Sequence, residues 1–143
     1  MTRMPMVVTD PNQPDNPIAF ANGAFSDLTG YAREEVEGRN CRFLQGPDTD
    51  RAAVDRIRVA LKEQHDCKVV LKNYRKDGTP FWNELTISPV RDSSGIVTHF
   101  IGVQSDITDR KQAEEALKQA EAKYRSIFEN ATEGIFQTAP DGR

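Results

Sequence analysis

Apolar and polar residues change rhythm three times along this chain. Met6-Val7-Val8-Thr9-Asp10 is a short run rich in β-branched side chains and predicts a strand. The turn formers from Asp10 to Pro17 reverse the chain, so Ile18–Ala21 reads as the returning strand of a hairpin with a long loop. Residues 22–65 are helical in rhythm. Asn22 or Ser26 caps a short helix with Phe25, Leu28 and Tyr31 on one face. Arg33–Glu37 predicts a single turn stopped by Gly38, and Asn40–Leu44 a third short piece ended by Gly46-Pro47. Asp48 or Asp50 caps a longer helix in which Ala53, Val54, Ile57 and Leu61 follow the 3.6-residue period.

From Cys67 to Ile107 the period drops to two. Val69, Leu71 and Asn73 alternate with Val70, Lys72 and Tyr74; Phe81, Asn83, Leu85 and Ile87 alternate with Trp82, Glu84, Thr86 and Ser88. Asp77-Gly78 is a strong hairpin signal, and Arg91-Asp92-Ser93-Ser94-Gly95 a second turn before the strand Ile96–Gln104. The sum is an α+β domain: a five-stranded antiparallel sheet with short helices on one face. After residue 108 the rhythm changes again. Asp109–Asn130 has no Pro or Gly and is rich in Ala, Glu, Lys and Gln, which predicts a C-terminal helix over 109–130. Ala113, Leu117, Ala120, Tyr124 and Ile127 form a short heptad seam. The seam suits docking on the chain's own domain and pairing with a second helix equally well.

Length, charge and cysteine count narrow the function. A chain of 143 residues is one domain with an appendage. Net charge is -3, which disfavours a nucleic-acid surface. No apolar run reaches the roughly 18–20 residues that span a bilayer, and the N-terminus lacks a secretory pattern. A cytoplasmic protein is expected. Two cysteines and two histidines make a poor metal site.

The stretch Gly38–Asp48 carries the chemistry. On an α-helix Cys41 and Gln45 share one face, with Arg42 about 100° away. Arg58, on the next helix, offers a second guanidinium, and two converging arginines suit a phosphate. Against this stands the ordinary reading of a lone cysteine as a small buried hydrophobe. Asn73, Asn83 and Gln104 fall in predicted strands, where Asn is depleted. Asn73 and Asn83 flank the Asp77-Gly78 turn and are expected to face each other. Such amides match the edge of a flat heterocycle, or simply line a polar outer face.

These residues carry a resemblance. GRNCRFLQGPDTD at 38–50 resembles the signature of the light-oxygen-voltage (LOV) domains, flavin-binding blue-light sensors within the PAS superfamily. Val8–Pro11, Pro14–Ile18, Asn73-Tyr74, Phe81–Asn83, Phe100–Gln104 and Asp106–Thr108 match the family in order and spacing, over residues 6–108. The resemblance implies a PAS/LOV fold over 1–108 and FMN as cofactor. It implies that Cys41 is the cysteine that bonds reversibly to the flavin after blue light. It implies that Arg42 and Arg58 hold the phosphate, that Asn73 and Asn83 meet the ring's pyrimidine edge, and that Gln104 is the hydrogen-bond switch. Thr9, Asn40, Leu44, Gln45 and Leu85 are implied as further flavin contacts, Leu85 standing where some relatives carry Phe. Helix 109–130 is then a signalling linker, and 131–143 resembles the start of a following, truncated PAS domain.

By this reading the chain is a sensory module and not an enzyme. Its partners are effector domains of the same native chain and a second copy, paired through the sheet face or the C-terminal helix. No nucleic acid or membrane is expected. A flavin redox sensor and a cofactor-free PAS interaction domain stand as alternatives.

Overall fold

The computed structural model describes residues 3–138, with side chains as far as residue 132. The chain divides after Thr108 into two units. In the first, β1 (Met6–Thr9) and β2 (Ile18–Ala21) form the expected hairpin. Short helices α1 (Gly23–Thr29) and α2 (Arg33–Val36) follow, then a 3-10 turn over Cys41–Leu44 and the longer helix α3 (Arg51–Glu63). Strands β3 (Cys67–Tyr74), β4 (Pro80–Arg91) and β5 (Val97–Asp106) complete one antiparallel sheet in the order β2-β1-β5-β4-β3. The opening hairpin thus closes against the last strand, and β5 lies at the centre.

Local chemistry sets the boundaries. Asn22 caps α1 by accepting from the Phe25 N–H, and Gly30 ends it at φ 80°. Asp50, of the two candidates, caps α3 by accepting from the Ala52 N–H. The strand faces alternate as predicted: Val69, Leu71 and Asn73 are buried on β3, and Phe81, Asn83 and Ile87 on β4. The inner sheet face packs against the helices, burying Ala53 and Val54 with Val69 and Leu71, and Phe25, Val36 and Leu44 with Val7 and Ile18.

One expectation is refined and one corrected. Asn73 and Asn83 do face each other, their amides hydrogen-bonding at 2.9 Å, but on a diagonal; Asn73 pairs with Phe81 and Leu71 with Asn83. The turn takes five residues, closed by the Arg75 N–H donating to the Thr79 carbonyl, so Tyr74 meets Pro80 and the amides fall on a diagonal. The second concerns α4 (Thr108–Thr138), one helix of 31 residues that runs past Asn130. Nothing from Asn130 to Thr138 stops it, since Ala131 and Glu133 are good helix formers and Gly134 costs only about 1 kcal/mol. Residues 139–143 of the segment that resembles the start of a following PAS domain lie outside the described residues. Leu117, Tyr124, Ile127 and Phe128 are exposed along α4.

The loop after the 3-10 turn is stapled to β3. Thr49 Oγ1 accepts from the Gly46 N–H at 2.9 Å and donates to the Lys72 carbonyl at 2.6 Å, and the Asp48 N–H donates to the Tyr74 hydroxyl. The Tyr74 ring lies so close to Gly46 that a Cβ there would stand 2.3 Å from Tyr74 Cε1. Ring and loop backbone cannot both stay in place, so Gly46→Ala is expected to cost about 1–3 kcal/mol of stability in urea unfolding. Tyr74→Ala in the same chain should recover part of that loss.

Candidate functional site

A cavity opens between the inner sheet face and the helices. Thr9, Asn73, Leu85 and Gln104 line it from the strands; Asn40, Cys41, Arg42, Leu44 and Gln45 line it from the 3-10 turn and its caps. The turn is fixed by Asn40, whose Oδ1 accepts from the Arg42 N–H and whose Nδ2 donates to the Asp15 carbonyl at 2.7 Å. Cys41 and Gln45 both reach the cavity, though not by sharing an α-helical face. The turn is 3-10 and Gln45 is its extended C-cap, so backbone direction rather than helical spacing brings them together.

The three sheet amides form one buried ladder. Asn83 has no exposed surface, and Asn73 and Gln104 are nearly as buried. Asn83 Nδ2 donates to Asn73 Oδ1 at 2.9 Å and to Gln104 Oε1 at 2.6 Å. Gln104 Nε2 donates to the Gly102 carbonyl, and Asn73 Nδ2 to the Leu44 carbonyl. Asn83 therefore stands behind the cavity wall and orients two amides that line it.

Two buried polar atoms of the cavity wall have no partner: Thr9 Oγ1 and Asn16 Oδ1. Buried oxygens without a bond are rare enough to point to a polar ligand. Gly102 widens the cavity at β5, for a Cβ there would come within 3.3 Å of Val7 and 3.5 Å of the Gln104 amide. Apolar walls from Leu71, Ile87, Phe100, Ile57 and Leu61, with amides at one edge, fit a flat heterocycle such as a flavin ring.

Cys41 as a residue is only half-buried, but it packs against the core of Val7, Ile18, Phe25 and Leu44. Burial pushes its thiol from the ordinary 9.0 up to about 12, and the opposing pull of the Arg42 charge is smaller. Arg42 is itself occupied: Nη1 and Nη2 donate to the two Asp15 carboxylate oxygens at 2.6 and 2.7 Å. This pairing holds the Asp15 carboxyl below its usual range.

Arg58 is not brought to the cavity. Its side chain is exposed and paired with Asp55 at 3.0 Å, while its helix neighbours Ile57 and Leu61 face inward. Sequence reading missed Asn16, which sits in a segment legible only as turn and holds φ 49°. It also missed Phe25, Ile57, Leu61 and Phe100, which read as ordinary core. The only signal for these was their inward place in the two periodicities. Among the described residues no cluster can hold a metal ion, and no helix is long and apolar enough to cross a membrane.

Comparison with known proteins agrees with this geometry. A PAS-domain family model matches residues 3–109. Phototropin-2 of Oryza sativa subsp. japonica is 55% identical over 103 residues, 72% of this chain and 11% of that protein. A blue-light-activated histidine kinase of Brucella anthropi is 51% identical, over 76% of this chain and 22% of its own length. A blue-light photoreceptor of Listeria monocytogenes is 53% identical, over 72% and 40%. The chain thus spans less than half of each of these relatives. A solved structure from a flavin-analogue study of the light-oxygen-voltage domain mechanism superposes with a TM-score of 0.75 at 49% identity, over 85% of this chain and 89% of that one. An RNA-binding light-oxygen-voltage receptor superposes at 0.78 with 42% identity, over 87% of this chain but 35% of its own. Fold, matched segment and solved neighbours agree: the chain belongs to the PAS domain family and, within it, to the light-oxygen-voltage domains.

Proposed function

We propose that this chain is a blue-light sensing module that takes FMN into the cavity and bonds it reversibly through Cys41. The observation that carries the reading is one cavity shared by the Cys41 thiol, two amides of the ladder and two unpartnered polar atoms. A bound flavin would supply the light absorption and an excited ring able to accept a thiol. Cys41 would contribute both the sulphur and the proton of a reversible bond to such a ring, its S–H proton passing to the ring as the sulphur joins, so that no external oxidant or reductant would be required and the reverse would restore the thiol. A thiol with a raised pKa stays inert in the dark, because the thiolate is the reactive form. Asn73, oriented by Asn83, would meet the polar ring edge, and Arg42 would take the phosphate at the 3-10 turn.

Gln104 would read such a proton shift. Its Oε1 accepts from Asn83 while its Nε2 donates to Gly102. Rotation of that amide would set two NH2 groups against each other and break the 2.6 Å bond, so Asn83 must respond. Two residues on, Asp106 accepts from the Thr108 N–H and pairs with Arg75 at 3.1 Å. The strand that carries Gln104 therefore leads directly into the start of α4. Effector domains beyond this chain would read the change, in keeping with the names of its longer relatives. The module itself catalyses no turnover.

Absorption spectra before and after a blue pulse test the reading. A yellow protein that bleaches and recovers in the dark, with a Cys41→Ala variant that stays yellow, is expected. A yellow wild type that never bleaches would replace it with flavin redox sensing, and a colourless chain that takes up no FMN with a cofactor-free interaction domain.

A thiolate titration tests the dark state of Cys41. In a Cys67→Ser background, the 240 nm absorbance difference between the chain and its Cys41→Ala variant, which cancels every other chromophore, should show no Cys41 thiolate at pH 9 and should rise only toward pH 12. The unfolded chain loses this proton near pH 9.0, before the folded one, so folding stability should fall as pH climbs above 9.

A further inference from the structure

Asp15 pairs with Arg42, which lines the cavity. Resting on the reading that Arg42 takes a flavin phosphate, we infer that Asp15 is a specificity-determining counter-ion that competes with that phosphate for Arg42. The contact is bidentate, and it uses the two terminal nitrogens of the fork that a phosphate would also engage. A phosphate arriving there meets a guanidinium already neutralised, with a carboxylate beside it. Asp15 thus weakens binding of the phosphorylated flavin and leaves the unphosphorylated one untouched.

The placement of Asp15 is built rather than incidental. Its φ of 68° and the φ of 49° at Asn16 put both residues in the left-handed region. Its carbonyl accepts from Asn40 Nδ2 at 2.7 Å, which locks the loop to the residue preceding Cys41. The next residue, Asn16, turns its unpartnered Oδ1 into the cavity wall. The loop that supplies a ligand contact therefore also supplies the anion that faces Arg42. Both side chains remain more than half exposed, so the competition is screened and its size is modest.

Asp15→Asn is the decisive variant. Asn matches Asp in shape, tolerates the left-handed conformation, and removes the charge. Dissociation constants for FMN and for riboflavin are measured by fluorescence quenching on the flavin-stripped chain. They are compared for wild type, Asp15→Asn, Arg42→Ala and the double variant. Asp15→Asn should tighten FMN about threefold to fivefold at low salt and shift riboflavin less than twofold. That gain should shrink at 0.5 M salt and vanish in the Arg42→Ala background. If Arg42→Ala weakens FMN selectively but Asp15→Asn leaves the FMN-to-riboflavin ratio unchanged, Asp15 has no such role while the phosphate reading stands. If Arg42→Ala treats both flavins as the wild type does, the phosphate reading fails and the competition falls with it. An Asp15→Asn chain that loses both flavins equally would show a loop-holding residue instead, and that too overturns the proposal.

Discussion

One buried amide holds the site together. Asn83 has no water to turn to, so both protons of its Nδ2 must be used inside the protein. It gives one to Asn73 on β3 and one to Gln104 on β5, tying three adjacent strands through side chains as well as backbone. Its own Oδ1 accepts from the Ser105 N–H. The orientation of the two amides in the cavity wall is therefore not free. Each is set by the group behind it, and a rearrangement of one is felt by the other.

The opposite wall works by a different balance. Cys41 sits beside a permanent positive charge that, in water, would favour its thiolate. Burial wins: it raises the thiol further than the Arg42 charge lowers it, while Arg42 itself is paired with Asp15 on the exposed side. The two walls differ in character, the sheet presenting hydrogen-bond direction and the 3-10 turn presenting a buried thiol.

Much of this was legible in the chain. The alternation in β3 and β4, the Asp-Gly turn and the Asn and Asp caps are local signals, and local signals survive folding. Cys41, Gln45, Asn73 and Gln104 stood out because polar or reactive types occupied inward positions. What could not be read was set by longer range or finer geometry. The five-residue turn decided the diagonal between Asn73 and Asn83. A 3-10 pitch, indistinguishable from an α-helix over four residues, changed how Cys41 and Gln45 converge. Asn16 was hidden because turn residues and ligand contacts share one composition. Arg58 suited a phosphate by charge, yet its place on α3 beside inward-facing Ile57 leaves it outside the cavity.

Helix α4 has a consequence of its own. At 1.5 Å per residue its 31 residues form a rod of roughly 46 Å. Along such a rod each residue turns the next by about 100°. Adding or removing a single residue would swing everything carried beyond it to another compass bearing while changing its distance hardly at all. The helix therefore stores angular phase in its residue count, and a change of seven residues comes close to restoring the original bearing where a change of two does not.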